Sequence, residues 1–180
     1  VYRGIRTYVF PMIPTETQAK VLWDKYDLPR QKRLHCALVA KVAMELAKKC
    51  QMMNAKCQIN EKLLVAAALL HDIDKNVPKL PGEQHPDTAV RILKAEGMDE
   101  VAALVKTHPL HAILDPSIAP KTWEEKILFL ADKMVKYKII GVDGRFALWN
   151  AEHLPAREQA ILDAAYPKVK ELEKEIAGLA

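Results

Sequence analysis

The segment Leu63-Leu-Val-Ala-Ala-Ala-Leu-Leu70 is apolar on every side and closes in His71-Asp72. A helix without a polar face has nothing to offer water, so it must run through the middle of other helices. The pattern therefore places a helix over about Glu61 to Leu70 at the centre of an all-α protein, with a histidine and an aspartate at its buried end. The rest of the chain has to supply the helices that surround it.

Those surrounding segments are legible. Thr15-Glu-Thr-Gln18 has the pattern of a capping box and predicts a short helix to about Tyr26, stopped by Leu28-Pro29. A long helix follows from near Arg30 to about Met52, where Leu34, Leu38, Val42 and Leu46 step by fours and predict the inward stripe. A fourth helix opens near His85-Pro86 and closes at Gly97, and a fifth runs from Asp99 to Thr107, ending at His108-Pro109. After a loop through Asp115-Pro116 and Ala119-Pro120, a sixth spans Thr122 to Tyr137. Beyond Gly141 and Gly144, a last helix runs from Pro155 to Ile176, with a bend expected at Pro167. The expected fold is all-α, a compact bundle of about six to seven helices. Only 6 glycines in 180 residues agree with this. The length suits one domain over residues 1–180, with a core over residues 13–145 and a C-terminal helical segment over residues 155–178. Residues 1–14 read as an irregular or extended lead-in.

Several classes of protein are disfavoured. A net charge of +4 is small, and Lys and Arg form no block of five, so nucleic acid is not the expected partner. No apolar run approaches the ~18 residues of a membrane span, and the start has no continuous apolar signal region. A cytoplasmic location is the default expectation. Cys36, Cys50 and Cys57 cannot all pair within one chain and read as reduced thiols, and the spacing of Cys50 and Cys57 is too loose for a zinc knuckle.

The chemistry lies in the polar residues set into apolar faces. His35 falls among Leu38, Val39 and Val42, and Asp132 follows Ile127-Leu-Phe-Leu-Ala131. A carboxylate on a buried helix face is costly unless its charge is compensated. A divalent cation does this well, because imidazole and carboxylate are its natural ligands. His85 and His108 each lie at a helix boundary and precede a proline, which fixes the backbone just after the side chain. His35, His71, Asp72, His85, His108 and Asp132 are therefore the candidate metal ligands, enough for two ions sharing a carboxylate.

The order His, His-Asp, Asp on successive helices resembles the HD superfamily of metal-dependent phosphohydrolases. The likeness covers about Ile13 to Arg145. Leu34-His35-Cys-Ala-Leu-Val39 and Ala68-Leu-Leu-His71-Asp72-Ile73-Asp74-Lys75 carry it, the latter similar to the H-D-I-x-K type of motif. His85, Thr107-His108 and Leu130-Ala131-Asp132-Lys133 resemble the further positions of two-metal members. Bacterial diadenosine tetraphosphate hydrolases and small predicted HD hydrolases are similar branches. The chain departs from the former at Pro109-Leu-His111 and at Lys133-Met-Val-Lys136.

The resemblance implies one or two divalent ions (Fe, Mn, Co or Ni) and hydrolysis of a phosphate ester or anhydride in a small, nucleotide-like substrate. His35, His71 and Asp132 would hold one ion, His85 and His108 the other, and Asp72 would bridge them. The nucleophile would be hydroxide from a shared, metal-acidified water. Asp72 and Lys75 are the catalytic candidates, with Lys75 also reaching a phosphate oxygen. Lys133, Arg145 and His111 are further substrate-binding candidates, His111 as a proton donor to the leaving oxygen, and Asp74 is a candidate for orienting a ligand histidine. Some HD proteins are di-iron oxygenases, which is the alternative activity, and a non-catalytic metal-stabilised binding domain is a third. A homodimer is compatible with this reading.

Overall fold

The computed structural model describes residues 13–178. In this span the chain forms eight α-helices and one short 3-10 helix, and the only strand-like feature is an isolated antiparallel bridge between Val135 and Ile139. The helices are α1 (Glu16–Lys25), α2 (Arg30–Met53), α3 (Glu61–Leu70), α4 (Asp87–Ala95), α5 (Asp99–Lys106), α6 (Trp123–Asp132), α7 (Gly141–Ala151) and α8 (Ala156–Ile176); the 3-10 helix is Leu110–Leu114. No described helix is long and apolar enough to cross a membrane.

α3 is the axis of the bundle, as its composition demands. It packs against α1, α2, α5 and α6, and Leu64, Ala67, Ala68 and Leu70 are fully buried. Trp23 of α1 donates its indole N–H to the carbonyl of Leu69 at 2.7 Å, which ties α1 to the end of α3 that carries the His-Asp pair. The capping box of α1 is present, with Gln18 N–H donating to the Thr15 hydroxyl and Thr15 N–H donating to the Gln18 side chain. α4 ends as expected: Gly97 adopts φ +76°, and Met98 N–H returns to the Leu93 carbonyl at 2.9 Å.

Four expectations are corrected. The inward stripe of α2 is displaced from Leu34–Leu38–Val42–Leu46: Leu34 is 48% exposed, and the buried face is His35, Cys36, Val39, Ala40, Val42, Ala43, Ala47 and Cys50. Small alanines and cysteines let α2 lie close to α3, so the larger leucines are left at the margins.

α6 stops at Asp132 instead of continuing to Tyr137. Gly141 can take a positive φ at no steric cost, which permits the chain to turn back. The chain instead makes a tight reversal, with Ile140 N–H and Gly141 N–H both donating to Met134 O at 2.9 and 3.1 Å and Gly141 at φ +72°.

The glycines at 141 and 144 do not mark a loop. Gly141 opens α7, an eighth α-helix beyond the expected six to seven, and α8 continues through Pro167 as one element.

The cysteines are not all thiols. Cys50 and Cys57 form a disulfide across Cα atoms 6.1 Å apart, while Cys36 is free and buried. The pair meets because the chain turns back after α2, with Cys57 N–H donating to Asn54 O at 2.9 Å. The lead-in over residues 1–14 falls outside the described residues except for Ile13, packed against the core, and buried Pro14.

Candidate metal centre

Two of the four histidines expected as metal ligands are placed by the same local device. A helix leaves its last carbonyls without intrahelical partners. His71 follows α3 directly and donates Nδ1–H to the carbonyl of Ala68, three residues back, at 2.8 Å. His108 follows α5 and does the same to Val105 at 2.5 Å. In each case the ring satisfies an orphan carbonyl and turns Nε2 inward. His35, in the second turn of α2, donates Nδ1–H to Lys136 O at 2.9 Å, a carbonyl supplied by the reversal after α6. His85, just before α4, donates Nδ1–H to the Asp74 carboxylate at 2.9 Å.

Carbonyl oxygens only accept, so the Nδ1 atoms of His35, His71 and His108 carry hydrogens and the Nε2 atoms carry the free lone pairs in the neutral rings. All four Nε2 atoms converge. His35 and His71 are 3.3 Å apart at Nε2, and His85 and His108 are 2.9 Å apart. His35 Nε2 also lies 2.9 Å from Asp132 Oδ1, and His71 Nε2 lies 3.5 Å from the same oxygen. Acceptor facing acceptor at these distances requires a proton or a metal cation between them. His35, His71, Asp72 and His108 are 4% exposed or less, so water does not fill that role freely.

The ligand atoms form three overlapping triads within 4.8 Å: His35, His71 and Asp72; His71, His108 and Asp132; and Asp72, His85 and His108. Asp72 belongs to one triad on each side of the cluster, as a shared carboxylate must. All six residues expected from the sequence as metal ligands are thus in one place, and the donor set of neutral imidazoles and carboxylates fits a divalent ion.

The electrostatics agree. Burial pushes the Asp72 carboxyl up, but the positive charges of His71, Lys75 and Lys32 outweigh it and hold Asp72 below the usual carboxylate range. Burial acts the same way on Asp132 and is overcome by Lys133, His35 and His71. Burial also lowers His108, helped by the neighbouring His71 and His85, so His108 stays neutral. For His71, burial is outweighed by the Cys36 sulfur and the Asp72 and Asp132 carboxylates, which raise it well above its ordinary value. A proton held by His71 and a metal cation both bring positive charge to the carboxylates of Asp72 and Asp132.

The remaining candidates separate. Lys75 Nζ lies 3.2 Å from Asp72 Oδ1 and is partly open to solvent. Asp74 is buried behind His85. Lys133 is inside the cluster, but its ammonium donates to His108 O at 2.7 Å and Asp132 Oδ2 at 2.5 Å and lies 4.6 Å from the centroid of the Phe129 ring. All of these contacts lie within the cluster and its immediate surroundings, and the side chain is enclosed. His111 is exposed on the 3-10 helix, and Arg145 stacks over Trp149 at 4.3 Å; neither is hydrogen-bonded or ion-paired to the cluster among the described residues. Sequence reasoning passed over Lys32, whose Nζ lies 3.0 Å from Asp72 Oδ2. Its position three residues before His35, on the same face of α2, was the available signal.

An all-helical bundle with a buried His/Asp cluster shared between a helix-terminal His-Asp pair and four further segments defines a class of metal-centre protein. A family model for the HD domain matches residues 34–136, more than half of the chain, and the chain belongs to that family. HD domains form a superfamily of metal-dependent phosphohydrolases, and the matched span contains all six cluster residues: it begins one residue before His35 and closes at Lys136, whose carbonyl holds His35. No solved structure matches the chain.

Proposed function

We propose that this protein hydrolyses a phosphate ester or anhydride in a small, nucleotide-like molecule, with His35, His71 and Asp132 holding one divalent ion, His85 and His108 the other, and Asp72 shared. The observation that carries the reading is the convergence of four imidazole Nε2 atoms on two carboxylates, each ring fixed from behind through Nδ1. When bound, the ions supply Lewis acidity to a phosphoryl oxygen and acidify a water.

The chain's own groups do the rest. The backbone carbonyls and Asp74 fix the ring planes, so little reorganisation is needed on binding. Lys75 stands at the solvent side of Asp72, 28% exposed, where its ammonium meets a phosphate oxygen and offsets charge that develops on it. Lys133, fully enclosed, keeps Asp132 ionised and in place.

The test is phosphate release from a panel of nucleoside monophosphates, dinucleoside polyphosphates and cyclic dinucleotides, run anaerobically with the protein loaded in turn with Mn, Fe, Co and Ni. Hydrolysis that falls at least tenfold in Lys75→Gln is the expected result. Oxygen consumption with an organic substrate, and no phosphate release, would instead identify a di-iron oxygenase; no turnover on any substrate would leave a metal-stabilised binding domain.

A further inference from the structure

Asp72 carries an ammonium group on each oxygen. Lys75 Nζ is 3.2 Å from Oδ1, and Lys32 Nζ, on α2, is 3.0 Å from Oδ2. The two oxygens face different halves of the cluster: Oδ1 is 3.7 Å from His85 Nε2, and Oδ2 is 4.0 Å from His71 Nε2. Each half therefore has its own lysine, standing on the carboxylate oxygen that an ion in that half would take.

Burial separates the partners. The Asp72 side chain is 6% exposed, whereas those of Lys32 and Lys75 are 35% and 28% exposed. The carboxylate is fixed and the lysines reach it from the solvent side with flexible stems. Burial alone pulls the Lys32 ammonium down, but Asp72 more than offsets this and holds it charged. Lys133 is the contrast, since its ammonium is enclosed and already satisfied by Asp132 and a carbonyl.

An ammonium and a divalent cation on one carboxylate oxygen repel strongly in a site poor in water. On the metal-centre reading above, which this inference requires, loading the site displaces both ammonium groups from Asp72. Their backbones stay where they are, so two unpaired positive charges are left at the partly exposed edge of the cluster, on either side of the shared carboxylate. A tetrahedral oxyanion with several oxygens satisfies both at once.

We propose that Lys32 and Lys75 are exchangeable stand-ins for the divalent ions, which on release become a two-pronged seat for a phosphate group, so that metal and phosphate bind with positive coupling. The coupling is reciprocal by linkage. It keeps the buried carboxylate compensated in the metal-free protein, and it gives Lys32 a substrate-binding part equal to that of Lys75.

The experiment is calorimetric titration of Mn2+ into chelator-stripped protein, with and without inorganic phosphate, for the wild type, Lys32→Gln, Lys75→Gln and Lys32→Arg. Phosphate should tighten Mn2+ binding by about tenfold in the wild type. Each Gln variant should bind Mn2+ more tightly than the wild type in the absence of phosphate, having lost a competitor for Asp72, and should lose most of the phosphate effect. Lys32→Arg, which keeps the charge, should retain the effect. Gln variants that bind Mn2+ no more tightly, or that keep the full phosphate effect, would overturn the proposal and leave the lysines as structural ion pairs. If Lys32→Gln does not fold, the wild type and Lys75→Gln decide alone: no phosphate effect in the wild type is fatal. A wild type that takes up neither Mn2+, Fe2+, Co2+ nor Ni2+ defeats the metal-centre reading itself, a different outcome from metal binding without lysine dependence.

Discussion

His85 depends on the residue behind it. Its Nδ1–H donates to a buried carboxylate, Asp74, where the other three rings donate to backbone carbonyls. A carboxylate both fixes the ring and raises its basicity as a ligand. Asp74→Asn should therefore weaken metal binding about 10–100-fold while the fold persists. Competition with a fluorescent chelator measures it, and an unchanged metal affinity would show that the His85 half of the cluster does not hold an ion. The six cluster residues were legible because histidine and aspartate are conspicuous on apolar faces. The carbonyls of Ala68, Val105 and Lys136 were not, since a backbone oxygen leaves no trace in composition; nor was Lys32, because a lysine on a long helix ordinarily faces water.

At the level of the element, the cluster rests on how each helix begins and ends. α6 brings Asp132 to its last position from a capping box at its start: Glu125 N–H donates to the Thr122 hydroxyl at 3.2 Å, and the Glu125 carboxylate accepts from Thr122 N–H at 2.9 Å. Thr122→Ala should lower stability by about 1 kcal/mol, measured by urea denaturation, with metal content unchanged. The entry to α4 has a pH dependence of its own. Glu83 accepts from Arg91, from Leu80 N–H and from the Thr88 hydroxyl, and these hold its carboxyl at about 2, below its ordinary 4.5. A depressed carboxylate stabilises the fold fully above its unfolded value, and the contribution is lost as pH falls from about 4.5 towards 2. In Glu83→Gln the acid-side decline of stability over that window should be shallower than in the wild type; equal slopes in denaturation series would refute the assignment. Helix starts were the readable part of the chain because Thr15, Thr122 and the prolines announce them. The end of α6 and the start of α7 were not, because glycine reads as a break in sequence yet at position 141 it opens a helix at φ +72°.

Over the whole molecule, the cluster joins segments far apart in the chain: α2 through His35, the end of α3 through His71 and Asp72, the α3–α4 connection through His85, the end of α5 through His108 and α6 through Asp132. An ion held there crosslinks most of the bundle and has no such partner in the unfolded chain. Its binding energy is then folding energy. At a free metal concentration one hundred times the dissociation constant, the gain is about 2.7 kcal/mol. For a chain of this size each kcal/mol raises the unfolding midpoint by about 2–4 °C, so loading should raise it by roughly 5–10 °C. Differential scanning calorimetry of the chelator-treated protein, before and after adding back each metal, measures the shift. The rise should grow with metal concentration and vanish in Asp72→Ala, which removes the carboxylate common to both halves. A midpoint indifferent to Mn, Fe, Co and Ni would mean that the proton on His71 and the ammonium groups of Lys32, Lys75 and Lys133 already supply all the positive charge that the carboxylates of this bundle require.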